Sequence, residues 1–192
     1  MSLPMILTAG RIVLAPVFFI LYVATGIGSP IVYLLWAIFI ISEVSDLLDG
    51  YFARKMGLVS EIGKVLDPFA DAISRITYFA CFAWSGYLLM WVFLILVYRD
   101  LATSYIRIIA SNRRLMLAAR WSGKLKAWIY GLSGVAGLSV FSLHSTGWFS
   151  RALPFVEKIA QISFFGSAAI AVVSVLDYAV FLKNFFQKSV DK

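Results

Sequence analysis

The sequence predicts an all-α integral membrane protein, in which six transmembrane helices follow a short amphipathic segment at the N-terminus. Composition is the first reason, because 61% of the 192 residues are hydrophobic and only 14% are charged, whereas soluble domains average about 25% charged residues. The second reason is that six segments are long and apolar enough to cross a bilayer. The third is that basic residues gather in alternate connections between these segments.

The predicted spans lie at about 10–26, 32–53, 64–86, 88–110, 124–144 and 158–182. The residues before the first span lack the basic start and small-residue cleavage site of a signal peptide, so we expect a retained amphipathic lead-in. Small residues in "YGLSGVAGLSV" (130–140) suit close helix packing or homodimer contacts. A chain of this length leads us to expect one membrane domain over residues 1–192.

The basic residues assign a side of the membrane to each connection. Several lysines and arginines lie in the 45–71 connection, in the connection between the fourth and fifth spans, and in the C-terminal tail, whereas the opposite side carries only Arg151 and Lys158. The positive-inside rule therefore places both termini and the 45–71 connection on the cytoplasmic side of the cell or inner membrane. The net charge of +7 requires no nucleic-acid partner, because anionic lipid headgroups also attract basic loops.

Four aspartates in the 45–71 connection lie unexpectedly close to segments that are apolar enough to span a membrane. Asp46 and Asp49 are three residues apart near the inner end of the second span, so they share one helix face. Asp67 and Asp71 are four residues apart at the start of the third span and also share a face. The short connection at 55–62 requires the two helices to pack antiparallel, which directs both pairs of carboxylates into one small volume.

Carboxylates that converge in this way would repel one another unless cations lay between them. Solvated loop charge is the alternative, but Asp46 follows "YLLWAIFIISEVS" and Asp71 precedes "AISRITYFACFAW". Both therefore lie at or below the membrane surface, where ionisable groups are costly and usually functional. Carboxylates without histidine or cysteine favour Mg²⁺ or Mn²⁺ over Zn²⁺.

Neighbouring residues indicate phosphate chemistry at this cation site. Gly50 and Gly63 would let a phosphate approach the backbone closely, and Arg54 suits a phosphate or nucleotide contact. We therefore expect displacement at a phosphate, with cations neutralising charge on the attacking and leaving oxygens. The alternative from another class is a divalent-cation transporter, which would need acidic or polar residues to continue across the membrane; the outer halves of the spans contain almost none.

The stretch "DLLDGYFARKMGLVSEIGKVLDPFAD" resembles the signature of the CDP-alcohol phosphatidyltransferase family, D-x2-D-G-x2-A-R-x8-G-x3-D-x3-D. The eight fixed positions of the signature are occupied here by Asp46, Asp49, Gly50, Ala53, Arg54, Gly63, Asp67 and Asp71. The resemblance implies that a pair of divalent cations is held by Asp46, Asp49 and Asp67. It implies that Asp71 shares in metal binding and is the base that deprotonates the acceptor hydroxyl. It also implies that CMP is the leaving group and that the CDP moiety is bound at Asp46, Gly50, Ala53, Arg54 and Gly63.

Weaker resemblances concern the alcohol that accepts the phosphatidyl group. The stretches "LPMILTAGRIVLAPVF" and "SGKLKAW" are similar to stretches of phosphatidylglycerophosphate synthases, which implies CDP-diacylglycerol as the donor and glycerol 3-phosphate as the acceptor. The stretch "YRDLATSYIR" also resembles one of theirs, but Met5, Asp100 and Ala127 depart from the residues usual in these three stretches. Other acceptors therefore stay open, namely inositol phosphate, serine, choline, or phosphatidylglycerol as in a cardiolipin synthase.

Basic residues after position 98 favour a phosphorylated small alcohol as the acceptor. Arg99 and Arg107 lie on one helix face in the fourth span, and an arginine inside a span generally faces a cavity or an acidic partner. One interpretation is that Arg99 pairs with an aspartate and Arg107 extends to the membrane surface. The other is a patch that binds the phosphate of the acceptor, and its members would be Arg99, Arg107, Arg120, Lys124 and Lys126.

Overall fold

The computed structural model of the chain contains six α-helices in its described part. They are α1 (Leu3–Ala24), α2 (Ile31–Met56), α3 (Glu61–Trp84), α4 (Met90–Asn112), α5 (Trp121–Thr146) and α6 (Leu153–Val190). The structure describes the backbone of residues 3–24, 30–56, 61–112, 121–147, 149 and 151–190, and within it the side chains of residues 6–24, 30–46, 48, 66–106, 126, 128–147, 149 and 151–177. Every regular element in these ranges is helical, which confirms the all-α prediction.

The first helix differs from its prediction, because the amphipathic lead-in and the first span form one element. Helix α1 runs without a break from Leu3 to Ala24. In its described side chains, from Ile6 to Ala24, the buried residues recur every three or four positions, at Thr8, Arg11, Ala15, Phe18 and Tyr22. One continuous face therefore packs against the rest of the protein, and nothing separates a surface segment from a span.

The last helix is longer than the predicted span at 158–182. It begins at Leu153 and continues to Val190, so part of the basic C-terminal tail is helical. Pro154 lies in the first turn, where the missing N–H would have had no intrahelical partner. The prediction was based on hydropathy, which indicates only the segment suited to lipid. A helix can continue beyond that segment wherever its backbone hydrogen bonds are made.

Helix α1 packs against both α2 and α3, while α6 packs against α4 and α5. The expected direct packing of α2 on α3 is not among the extensive helix contacts in the described part of the chain. The connection of four residues between Met56 and Glu61 restrains only the adjoining helix ends. Helix α1 instead packs extensively against each of the two helices.

Aromatic side chains fill the core where α1, α2, α3 and α5 meet. The rings of Tyr22 and Phe141 stack with centroids 3.9 Å apart. Two glycines of α5 admit further rings, because a Cβ at Gly134 would lie 2.8 Å from Phe39 and one at Gly137 would lie 2.5 Å from Phe82. Both distances are below van der Waals contact, so α5 approaches its neighbours this closely only because these positions lack side chains.

Glycines in the left-handed conformation end two helices at the same end of the bundle. Gly86 has a φ of 78° and follows α3 in a Schellman motif, in which the N–H of Tyr87 donates to the carbonyl of Phe82 at 3.0 Å. Gly147 has a φ of 67° and ends α5, with its N–H donating to the carbonyl of Leu143 at 3.0 Å. The acidic signature lies at the other end, on the C-terminal part of α2 and the N-terminal part of α3.

The outer surface of the helices is strongly apolar. Large hydrophobic side chains that are more than half exposed occur on all six helices, among them Val13, Ile20, Tyr33, Ile40, Phe69, Trp91, Tyr98, Trp128, Leu132, Ile162 and Leu176. Such extended apolar surface suits lipid rather than water. By length and composition, two stretches of the described chain could cross a membrane on their own, Ile6–Ala24 and Leu153–Asp177.

Candidate active site

Two side chains of α1 contact carboxylates from two other helices. Thr8 and Arg11 are three residues apart and lie on the same buried face. The Thr8 hydroxyl donates a hydrogen bond of 2.8 Å to Oδ1 of Asp67 on α3, and Nη1 of Arg11 donates to Oδ1 of Asp46 on α2. One patch of α1 therefore brings together aspartates that lie 21 positions apart in the sequence.

Asp71 lies one turn after Asp67 on α3 and has its own cationic partner. Nη2 of Arg75 donates to Oδ1 of Asp71 at 2.7 Å, and the two residues are related as i and i+4. The Arg75 side chain is 13% exposed, so its fixed charge is held near the carboxylate. Asp46 is also close enough to act electrostatically on Asp71. Asp46, Asp67 and Asp71 thus form the described part of an acidic cluster.

The donor chemistry of this acidic cluster fits a hard divalent cation. Its groups are carboxylates, and each described contact uses an Oδ1 atom, while a carboxylate has a second oxygen that can bind a cation. The described side chains alone contain no group of three or more histidine, cysteine, aspartate or glutamate ligands close enough to hold an ion. The side chain of Asp49, the fourth predicted ligand, lies outside the described residues.

The backbone places the remaining signature residues beside the acidic cluster. Asp49, Gly50, Ala53 and Arg54 lie in the last turns of α2, and Gly63 lies in the first turn of α3. Their side-chain positions lie outside the described residues, so the contacts with CDP stay a prediction.

A second charged cluster, the basic cluster, links α4, α5 and α6. Oδ1 of Asp100 accepts hydrogen bonds from Nη1 of Arg99 at 2.8 Å and from Nζ of Lys126 at 2.5 Å. Nη2 of Arg99 also donates to the hydroxyl of Ser174 at 2.7 Å. Arg99, Asp100 and Lys126 are all buried. Two cations share one carboxylate, so this cluster carries a buried excess of one positive charge.

The Tyr130 ring lies between the acidic and basic clusters. The Nζ of Lys126 is 4.7 Å from the ring centroid, and Cζ of Arg75 is 5.9 Å from it. Both distances fall within the range of a cation–π interaction. Because Arg75 also binds Asp71 and Lys126 also binds Asp100, the ring of Tyr130 joins the two clusters into one polar region inside the bundle.

The five basic residues predicted to bind the acceptor phosphate are described only in part. Arg99 and Lys126 both contact Asp100, so Arg99 has the aspartate partner that one interpretation of the sequence expected. Arg107 lies on α4 and Lys124 on α5, but their side chains lie outside the described residues, as does Arg120 altogether. Phosphate binding by this set stays a prediction.

Sequence reasoning did not select Thr8, Arg11, Arg75 or Tyr130 as site residues. A signal existed for Arg75, because it follows Asp71 by four residues in a helix and so shares its face. Thr8 and Arg11 lie in the N-terminal stretch "LTAGR", but nothing local showed which carboxylates they contact. Tyr130 follows Lys126 by four residues on α5 and so shares its face, but nothing local showed that Arg75 and Phe79 of α3 contact its ring.

Comparisons with known proteins identify the family and several similar chains. The family model described as CDP-alcohol phosphatidyltransferase matches residues 1–173. A CDP-diacylglycerol–glycerol-3-phosphate 3-phosphatidyltransferase of Bacillus subtilis is 30% identical, with 95% of each chain covered. A protein of the same name from Treponema pallidum is 29% identical over 93% of this chain and 87% of its own. A probable phosphatidylglycerophosphate synthase of Mycobacterium tuberculosis is 34% identical over 74% of this chain and 67% of its own.

Proposed function

The chain belongs to the CDP-alcohol phosphatidyltransferase family, and we propose that it transfers a phosphatidyl group from CDP-diacylglycerol to glycerol 3-phosphate. The products are phosphatidylglycerophosphate and CMP. The observation that carries the proposal is the attachment of Asp46 and Asp67, two signature carboxylates from different helices, to one face of α1. The choice of acceptor is supported by the names of relatives that match nearly the whole chain.

The acidic cluster is the catalytic end of the proposed site. Asp46, Asp49, Asp67 and Asp71 would hold two Mg²⁺ or Mn²⁺ ions, which supply charge neutralisation at the pyrophosphate of the donor. Asp71 accepts the proton of the acceptor hydroxyl. Arg75 orients the Asp71 carboxylate through its contact of 2.7 Å, while Thr8 and Arg11 hold Asp67 and Asp46 in place.

The donor is bound by the rest of the signature and by the bilayer. Its CDP moiety contacts Asp46, Gly50, Ala53, Arg54 and Gly63, where the glycines and alanine leave room for the nucleotide and the arginine donates to phosphate. Its acyl chains stay in lipid against the exposed apolar faces of the helices. A site at the membrane surface thus lets the lipid react without leaving the bilayer.

The acceptor phosphate is bound on the basic side of Tyr130. The binding set comprises Arg99, Arg107, Arg120, Lys124 and Lys126. The buried excess of positive charge around Asp100 supports an anionic ligand here, because a second negative group would balance the charge that Asp100 leaves uncompensated. Choline carries no anionic group and serine carries an ammonium beside its carboxylate, so neither brings a net negative charge.

All six helices cross the membrane in the arrangement that we propose, as one domain with both termini and the active site on the cytoplasmic side. Exposed large apolar side chains on every helix support this arrangement. The distribution of lysine and arginine supports the orientation.

CMP release by the purified protein tests the function. The assay supplies CDP-diacylglycerol and Mg²⁺ with a panel of alcohols: glycerol 3-phosphate, inositol phosphate, serine, choline and phosphatidylglycerol. We expect turnover with glycerol 3-phosphate, loss of turnover with EDTA, and recovery with Mg²⁺ or Mn²⁺. Turnover only with another alcohol would overturn the proposed acceptor, and no turnover with any alcohol would overturn the function.

A matched pair of acid-to-amide variants tests the proposed base. Asp71→Asn should lower kcat by at least about 100-fold, the lower end of the contribution of a general base. Glu157→Gln is the control, because Glu157 pairs with His144 on the partly exposed surface of α6 and α5, at the end of the bundle opposite the signature. Equal activity of the two variants would remove Asp71 from the mechanism.

A further inference from the structure

The hydroxyl of Tyr130 is buried without a hydrogen-bond partner in the part of the chain that the structure describes. The residue is 2% exposed, so water does not reach the side chain freely. A buried hydroxyl of this kind is costly, and buried polar groups nearly always have a partner. Because this hydroxyl lies inside a proposed active site, we expect its hydrogen-bond partner to be an atom of a ligand.

The surroundings of Tyr130 indicate what that ligand is. Its ring is held between Lys126 and Arg75 and against Phe79, with ring centroids 5.6 Å apart. Asp100, Arg99 and Arg75 are close enough to act electrostatically on the phenol. A phenol O–H is a hydrogen-bond donor, and the adjacent basic cluster has two cations for one carboxylate. A donor beside uncompensated positive charge suits an anionic oxygen.

We propose that the Tyr130 hydroxyl donates a hydrogen bond to a phosphate oxygen of the phosphorylated alcohol that enters the site. The proposal rests on the function proposed above and adds a residue that makes the site selective for a phosphate-bearing acceptor. A phosphate bound at Tyr130 would lie near the acidic cluster, because Arg75 contacts both the Tyr130 ring and Asp71. A phosphate anchored at Tyr130 would direct the acceptor hydroxyl toward the Asp71 carboxylate.

Tyr130→Phe isolates the hydroxyl, since phenylalanine keeps the ring between Lys126 and Arg75. We expect the KM for glycerol 3-phosphate to rise about tenfold, as for the loss of one hydrogen bond to a charged group, while the KM for CDP-diacylglycerol stays within about twofold. The Tm should be unchanged or higher, because the variant removes a buried polar group without a partner. An unchanged KM for glycerol 3-phosphate would overturn the proposal.

Tyr22→Phe is the matched control, because Tyr22 is also buried but its hydroxyl pairs with that of Ser85 at 2.9 Å, at the opposite end of the bundle. This variant should lower the Tm and leave both KM values unchanged. A comparable rise in the KM for glycerol 3-phosphate in both variants would show a general packing effect and overturn the assignment of Tyr130.

Ligand-induced stabilisation tests the inference without catalysis. Glycerol 3-phosphate and inorganic phosphate, each added without donor, should raise the Tm of the wild type and of Tyr22→Phe, and raise that of Tyr130→Phe less. If the wild type shows this stabilisation but releases no CMP, the proposed reaction fails and the phosphate contact stands. If Tyr130→Phe is stabilised as much as the wild type, the phosphate contact fails whatever the reaction is.

Discussion

Arg11 of α1 and Asp46 of α2 form an ion pair in which the arginine is 2% exposed and the aspartate 38% exposed. The pair is one of two described contacts between the first helix and the acidic signature, and the hydrogen bond from Thr8 to Asp67 is the other. A buried arginine depends on its carboxylate, because an uncompensated charge in the interior is strongly unfavourable.

We expect Arg11→Met and Asp46→Asn each to lower the Tm, and their effects to be less than additive in the double variant. Once one partner is absent, removing the other no longer breaks the pair. The coupling should be on the order of 1 to 3 kcal/mol, measured by thermal unfolding in detergent. Additive losses of stability would contradict a direct interaction between the two residues.

Thr8 tests whether positioning Asp67 matters for the reaction. Thr8→Val keeps the shape of the side chain but removes the donor of the hydrogen bond of 2.8 Å to Asp67, and we expect kcat/KM for CMP release to fall about tenfold. Thr8→Ser is the control, since it keeps the hydroxyl and should stay close to the wild type. Equal activity of the valine and serine variants would show that this hydrogen bond does not support catalysis.

The basic cluster predicts an order of stability between two charge-removing variants. Asp100→Asn leaves Arg99 and Lys126 without their shared carboxylate and should cost about 3 to 5 kcal/mol, as for a broken buried pair. Lys126→Met should cost less, because Arg99 and Asp100 still compensate each other at 2.8 Å. The Tm should decrease from wild type to Lys126→Met to Asp100→Asn. The reverse order of the two variants would refute this assignment of charges.

Two alanine substitutions in α5 test the close approach of helices. A Cβ at Gly137 would meet Phe82 at 2.5 Å, whereas one at Gly131 would lie 3.8 Å from Glu43, an ordinary contact. We expect Gly137→Ala to destabilise the protein by about 1 to 3 kcal/mol through overpacking. Gly131→Ala should be neutral or stabilising by up to about 1 kcal/mol, since alanine favours helix. Thermal unfolding of both variants decides the matter, and equal Tm values would contradict the packing described for Gly137.

Much of the helical architecture could be predicted from the sequence. The predicted ends of α2, α3, α4 and α5 lie within three residues of the observed ends, because an apolar segment in lipid must satisfy its backbone hydrogen bonds internally and so forms a helix. The prediction was less accurate for α1 and α6, because each of these helices extends beyond the apolar segment that was used to predict it. The spacing of the aspartates placed each pair on one helix face, since that relationship depends only on the helical repeat.

The sequence by itself determined that the chain is strongly apolar, where most of its helices lie and which residue types its candidate site contains. Composition and helical periodicity are local properties, so they can be read without the tertiary structure. Only the tertiary structure decided that α1 contacts both acidic helices through Thr8 and Arg11, that Arg99 and Lys126 share Asp100, and that Tyr130 lies between Arg75 and Lys126. These relationships join residues from different helices. They follow from how the helices pack, which depends on the shapes and charges of all the contacting faces together.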